Sequence, residues 1–305
     1  MTFMANYQIG FKYYSAGIRS YGAGLNFLTH KGRNLVDPFQ SQSTPERFRG
    51  DLLAPWPNRL GDGVYQVEGV EYRAAINEAD KNTALHGLVN LLEWNLSSQS
   101  DSSVTLSAVL PASQEYPTDL ALEVIYALGD DGLAITLSAK NIGTKKAPYG
   151  ASIHPYLIAK ESEKNDNWHL LMHCNEVLEV DQKRLLPIAI KDVEELNYDF
   201  RANPLIGNRF IDHAFIVDSA RPREVSVVSA SGQGVRMVFA SECRWIQIHT
   251  ADRDGGSGSR ECLAVEPMTC PPDAFRTGID LIWLLPNDEA STTWQIQAIN
   301  IEEKR

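Results

Sequence analysis

LALEVIYAL, residues 120–128, runs into GLAITLSAKN, residues 132–141, across the connection Gly129-Asp130-Asp131-Gly132. In the second segment Leu133, Ile135, Leu137 and Ala139 alternate with Ala134, Thr136, Ser138 and Lys140. A period of two puts alternate side chains on opposite faces of a strand, so one face is apolar and the other wet. Two such segments joined by a Gly/Asp turn predict an antiparallel hairpin.

The same grammar continues outward. VYQVEGVEYR at 64–73 predicts a second hairpin turning at Glu68-Gly69, and SVTLSAVL, GVRMVF, RWIQIHT and TTWQIQAINI supply further strands. Helical stripes are scarce. Many short strands punctuated by Gly, Pro, Asn and Asp predict an all-β fold, a large antiparallel β-sandwich. No internal repeat, low-complexity tract or long linker divides the chain. GGSGS at 255–259 reads as a mobile loop, so residues 1–305 are expected to form a single domain.

A chain of 305 residues can bury a large core without metal or disulfide staples. Its four cysteines, Cys174, Cys243, Cys262 and Cys270, lack CxxC pairing and read as reduced thiols of a cytoplasmic protein. The N-terminal MTFMANYQIGFKYYSAG is unlike a secretion signal, and no run of eighteen apolar residues predicts a membrane span. A formal charge of −11 without a Lys/Arg cluster opposes a phosphate backbone, which excludes nucleic acid as an expected partner.

Two residues stand out against this frame. In ECLAVEP, residues 261–267, an extended chain puts Cys262, Ala264 and Glu266 on one face. Pro267 holds Glu266 to extended conformations and removes the next donor, which predicts that the ladder ends there, at a sheet rim. YGASIHPYLIA, residues 149–159, repeats the pattern: Gly150, Ser152 and His154 share a face and Pro155 follows. A carboxylate and an imidazole, each beside small residues and each before a proline, form a candidate acid/base pair.

Taken with these segments, LLAPWPNRL at 52–60, NTALHGLVNLLEW at 82–94, LEVDQKRLLP at 178–187, DFR at 199–201, DHAF at 212–215 and VEPMTCPPDAF at 265–275 resemble the aldose 1-epimerase (galactose mutarotase) family, in the family's order. The likeness covers roughly residues 25–300. It implies a galactose mutarotase-like supersandwich with a sugar cleft on one face, and interconversion of the α and β anomers of a free hexose. By motif, the resemblance makes Glu266 the general base and His154 the general acid. It gives His86 a hydrogen bond to the sugar in support of proton transfer, and makes Arg59 and Asp212 binders of sugar hydroxyls. Ile188-Ala189 and LLPNDEAS depart from the family's usual turns, away from these five positions.

The reaction suits the residues. Opening a hemiacetal takes a proton from the C1 hydroxyl and gives one to the ring oxygen; closure reverses both. No cofactor or metal is needed. Burial is expected to raise the Glu266 pKa toward a useful range, with Arg59 opposing. The expected partner is a small-molecule sugar, acting on a monomer or homodimer. His169 and His173 in HLLMH have the spacing of a helical metal pair, but their β-like surroundings argue against a metal site. His213 is expected on the face opposite Asp212, and His249 reads as structural. Paired glycosidase carboxylates, Glu266 and Asp212, would leave both histidines unexplained. A non-catalytic sugar-binding module remains an alternative. So does an epimerase of a phosphorylated or sulfonated hexose, with Arg59, Arg209, Arg253 or Arg260 as its anion site.

Overall fold

A computed structural model describes residues 6–39, 46–253 and 258–300. The hairpin predicted at 120–141 forms over its whole length: Leu120–Gly129 pairs with Gly132–Asn141 in one unbroken register, from Leu120 opposite Asn141 to Gly129 opposite Gly132. Leu133, Ile135, Leu137 and Ala139 are fully buried, as are Leu120, Val124 and Tyr126 across from them. Alternate positions such as Thr136 and Glu123 face outward. Truncating one of these apolar chains, Ile135→Ala for example, would cost roughly 2–5 kcal/mol through lost transfer energy and the cavity left behind.

This hairpin occupies the middle of an eight-stranded antiparallel sheet, flanked on one side by Ser103–Leu110 and on the other by Glu289–Asn300. Val64–Val67 and Val70–Arg73 form the second predicted hairpin. Its turn residues Glu68 and Gly69 lie at φ 50° and 79°, the left-handed pair that matches the twist of a two-residue hairpin. His169 sits in a strand, His169–Met172, so no helix presents it with His173. All four cysteines are free and buried. Residues 255–257 of the expected mobile loop lie outside the described residues. Among the described residues no helix is long and apolar enough to cross a membrane.

A second sheet of six strands runs in the order Tyr156–Leu157, Leu263–Met268, Trp245–His249, Asp212–Val217, Cys174–Val180, Pro187–Asp192. Here one expectation is corrected. The ladder does not end at Pro267: Ile246 pairs with Pro267 and Trp245 with Met268, so Glu266 lies inside a strand rather than at a rim. The reason is directional. Val265 N–H donates to Pro155 O at 3.3 Å, on the side away from Trp245–His249. Pro267, two residues on, turns its missing donor the same way, so no bond to its paired strand is lost.

The Pro267 carbonyl joins three parts of the molecule. It accepts Ser152 Oγ at 2.9 Å and Trp294 Nε1 at 2.9 Å. Ser152 belongs to the short strand that precedes His154, and Trp294, fully buried, belongs to the eight-stranded sheet. A carbonyl has two lone pairs, and both are used here.

Candidate active site

Register across the six-stranded sheet assembles one polar face. Glu266 stands opposite Gln247, and Asp212 opposite His249, which in turn faces Ala264. Period two therefore puts Glu266, Gln247, His249 and Asp212 on the same side. The small side chains of Ala264 and Ala214 leave room between them.

His154 comes to this face from the bend between Ser152–Ile153 and Tyr156–Leu157. Both its backbone groups are clamped: its N–H donates to Asp51 O at 2.9 Å, and its carbonyl accepts Gly50 N–H at 2.9 Å. Tyr156 packs its ring at 5.0 Å from the imidazole and His86 stands edge-on at 5.1 Å. His154 Nε2 lies 3.3 Å from Glu266 Oε1, with the two side chains 6% and 2% exposed.

Arg59 opens the strand Arg59–Gly61, and His86 directly follows its paired strand Thr83–Leu85. His86 has φ 68°, an uncommon conformation for a side-chain-bearing residue. Gly87 after it is also left-handed, and a Cβ there would stand 2.1 Å from Ala54 O. This tight turn brings the His86 Nδ1 against the Asn58 backbone N–H, from which it accepts at 3.2 Å. Nδ1 therefore carries a lone pair, and the proton of the neutral ring is on Nε2.

Arg59 is held by Glu78, whose two oxygens accept from Nε at 2.9 Å and from a terminal nitrogen at 3.0 Å. The same terminal nitrogen reaches Asp212 Oδ2 at 3.4 Å. Asp212 Oδ1 accepts Gln247 Nε2 at 2.6 Å. The structure thus gathers Glu266, His154, His86, Arg59 and Asp212 around one cleft of about 340 Å³.

Electrostatics follow from this burial. Burial first, then the Asp212 charge, pushes the Glu266 carboxyl well above its usual value, with Arg59 opposing. The expected direction holds. Burial, then His249, pushes His154 down to about 3, so the resting imidazole is neutral. Burial thus shifts each partner toward its uncharged form. Burial drives His86 well below its usual value too, with His154 and Arg59 adding. Burial acts to raise Asp212, but Arg59, His249 and Gln247 outweigh it and leave the carboxylate lowered.

His86, His154 and Glu266 place donor atoms within 4.8 Å of one another. As a metal centre they fit poorly. His86 spends its Nδ1 lone pair on the Asn58 N–H, so its Nε2 presents a hydrogen rather than an electron pair to the cleft.

Several lining residues escaped the sequence reading. His249, read from the sequence as structural, lines the cleft, with Tyr156, Phe48, Glu78 and Lys81. Alternation in RWIQIHT carried that signal, since Gln247 and His249 are polar neighbours on one face of an otherwise apolar strand. His213 does turn to the opposite face, against Tyr198 at 4.9 Å. The tryptophans form no part of the cleft: Trp56, Trp94 and Trp245 are buried in the interior, and Lys146 covers Trp283 at 4.2 Å. Arg260 is engaged by Asp166 and Asp252, and Arg209 by three backbone carbonyls. Neither lines the cleft, nor does Arg253.

This fold has close counterparts. The model of the aldose 1-epimerase family matches residues 6–297, and the chain belongs to that family. The uncharacterized protein YihR of Escherichia coli (strain K12) is 38% identical over 272 residues, which span 89% of this chain and 86% of that protein. An aldose 1-epimerase of Streptococcus thermophilus is 26% identical over 241 residues, 70% of this chain and 68% of that one. Among solved structures, the GalM/aldose epimerase homologue from C. elegans superposes with a TM-score of 0.84 at 20% identity, covering 97% of this chain and 100% of that one. Its fold is the galactose mutarotase-like sandwich.

Proposed function

We propose that the protein is a mutarotase that interconverts the α and β anomers of a free hexose, with Glu266 and His154 as its acid/base pair. The observation that carries this reading is their 3.3 Å contact in a buried cleft. Ring opening needs one group that takes the C1 hydroxyl proton and one that protonates the ring oxygen as the C1–O bond breaks. Glu266 as carboxylate and His154 as imidazolium do this. That state differs from the one with both partners uncharged only in the position of a single proton within the pair. Rotation about C1–C2 and closure return both protons.

His86 Nε2–H donates to a sugar oxygen, and Arg59 and Asp212 bind hydroxyls. Phe48 and Tyr156 supply the apolar wall. Positioned proton transfer contributes about 100- to 10,000-fold in rate, so Glu266→Gln should lose activity on that scale. Polarimetry of freshly dissolved α-D-glucose or α-D-galactose tests the reading: acceleration that disappears in Glu266→Gln supports it, and no acceleration with either sugar rejects the simple-hexose form.

A second reading, an epimerase of a phosphorylated or sulfonated hexose, is favoured by two cations on the cleft wall besides Arg59. Lys81 lies there, paired with Glu78 at 3.0 Å and Asp80 at 2.9 Å, and so does Arg47. The exposed Arg47 guanidinium donates to Asp252 O at 3.4 Å, and among the described residues it meets no carboxylate. The same assay on a hexose 6-phosphate and a 6-sulfonate distinguishes the two readings. Binding without turnover on all of them would identify a non-catalytic module.

A further inference from the structure

Two buried oxygens on opposing residues lack partners among the described residues: Glu266 Oε2 and Gln247 Oε1. Both side chains are 2% exposed, and the residues are direct cross-strand partners on one face, with Cβ atoms about 5 Å apart in such pairs. Leaving a buried acceptor without a donor is unfavourable. Two together ask for a donor.

The Gln247 amide cannot turn over to provide it. Its Nε2 donates to Asp212 Oδ1 at 2.6 Å, and a flip would put an oxygen against an ionised carboxylate at that distance. Asp212, itself fixed by Arg59 at 3.4 Å, therefore dictates which end of the amide is left over. That end is an acceptor. Within this cross-strand pair, the hydrogen left to donate is the carboxylic proton of Glu266.

We propose that Gln247 is a positioning residue, which accepts the Glu266 carboxylic O–H at Oε1 while its amide nitrogen holds Asp212. The chain Arg59, Asp212, Gln247, Glu266 thereby couples the hydroxyl-binding side of the cleft to the proton-transfer side. It satisfies both orphaned oxygens with one proton, and it agrees with the upward displacement of Glu266 by burial and Asp212. A bond to the protonated form favours that form. The other groups facing Glu266 are His154 and His86, Arg59 and Asp212, Tyr156, and His249 on the Gln247 strand.

The proposal rests on the mutarotase reading only for its kinetic test. If the one-proton pair is the active form, the basic limb of kcat/KM reports loss of the Glu266 proton, and the acid limb reports a second proton on His154. Gln247→Met keeps the length of the side chain and removes both hydrogen bonds. Its basic limb should move down by about one pH unit, with the acid limb unmoved. A uniform loss of activity with both limbs fixed would mean that Gln247 only braces Asp212, and overturns the proposal. A rise in KM with fixed limbs would mean that its oxygen meets the sugar, and overturns it equally.

Carbon NMR of carboxyl-labelled glutamate and glutamine, without sugar, gives a readout independent of turnover. The Glu266 midpoint should fall by the same amount in Gln247→Met. In the unsubstituted protein the Gln247 carboxamide signal should move at the Glu266 midpoint, which keeps the test open if the variant does not fold. A carboxamide that ignores that midpoint overturns the proposal. Failure of every sugar in polarimetry with a positive NMR result would reject the function and leave this inference standing.

Discussion

Asn58 donates its backbone N–H to His86 Nδ1 at 3.2 Å, and that one bond decides which face of the imidazole meets a ligand. The donor is a main-chain group, present at every pH. His86 is pushed far below its usual value by burial, so it stays a neutral ring with a fixed Nε2–H throughout the working range.

His86→Asn should lower kcat/KM by roughly 10- to 100-fold, the worth of one well-placed donor. It should leave both limbs of the pH profile where they are, because the residue does not titrate there. Steady-state polarimetry across pH checks both statements.

Glu266 and His154 should also mark stability, with opposite signs. Glu266 is raised on folding, so its contribution is full below about 4.3, the usual glutamate value, and is lost as pH rises through the folded value. His154 is lowered to about 3, so its contribution is present above about 6.5 and is lost as pH falls toward 3. Glu266→Gln should therefore melt higher than the parent at alkaline pH, with the gap closing toward pH 4. His154→Gln should gain on the parent below pH 6. Thermal melts from pH 4 to 9 read both.

Glu78 has no place among the motif residues, yet it holds Arg59 with two bonds and accepts Thr83 Oγ1 at 2.6 Å. Glu78→Gln should free the guanidinium and raise KM roughly 3- to 10-fold with a smaller change in kcat. Initial rates over a range of sugar concentration would show the split; an unchanged KM would mean that Asp212 alone suffices to place Arg59.

Trp294→Phe keeps the ring and deletes the bond to Pro267 O. It should cost about 1 kcal/mol and lower Tm by a few degrees, and it should reduce kcat although the residue is far from any sugar. Calorimetry with kinetics on the same preparation tests the two together.

Where the chemistry was local, the sequence was enough. Alternation in LALEVIYAL and GLAITLSAKN was a statement about neighbours, and the hairpin followed in register. His154 and Glu266 were legible because small residues shared their faces, and the family resemblance then placed His86, Arg59 and Asp212. Distant or directional facts were hidden. Pro267 looked like the end of a ladder because a missing donor has a side, and the side depends on which strand lies there. Glu78 is 19 residues from Arg59 on a loop with no periodicity. The left-handed turn at His86 left no trace except the glycine after it.

The doubly used Pro267 carbonyl has a consequence for how such a protein can change. The spacing of Glu266 and His154 is set by framework atoms: one strand carries Glu266, a serine tethers the His154 segment to it, and a tryptophan of the far sheet fastens both. Part of the cleft wall is drawn from elsewhere, from Arg47, Phe48 and Lys81 on connecting segments. The proposed acid/base pair and these connecting segments thus have separate addresses in the chain, and a graft of the segments alone would show whether the choice of sugar can be altered while the proposed proton transfer stays in place.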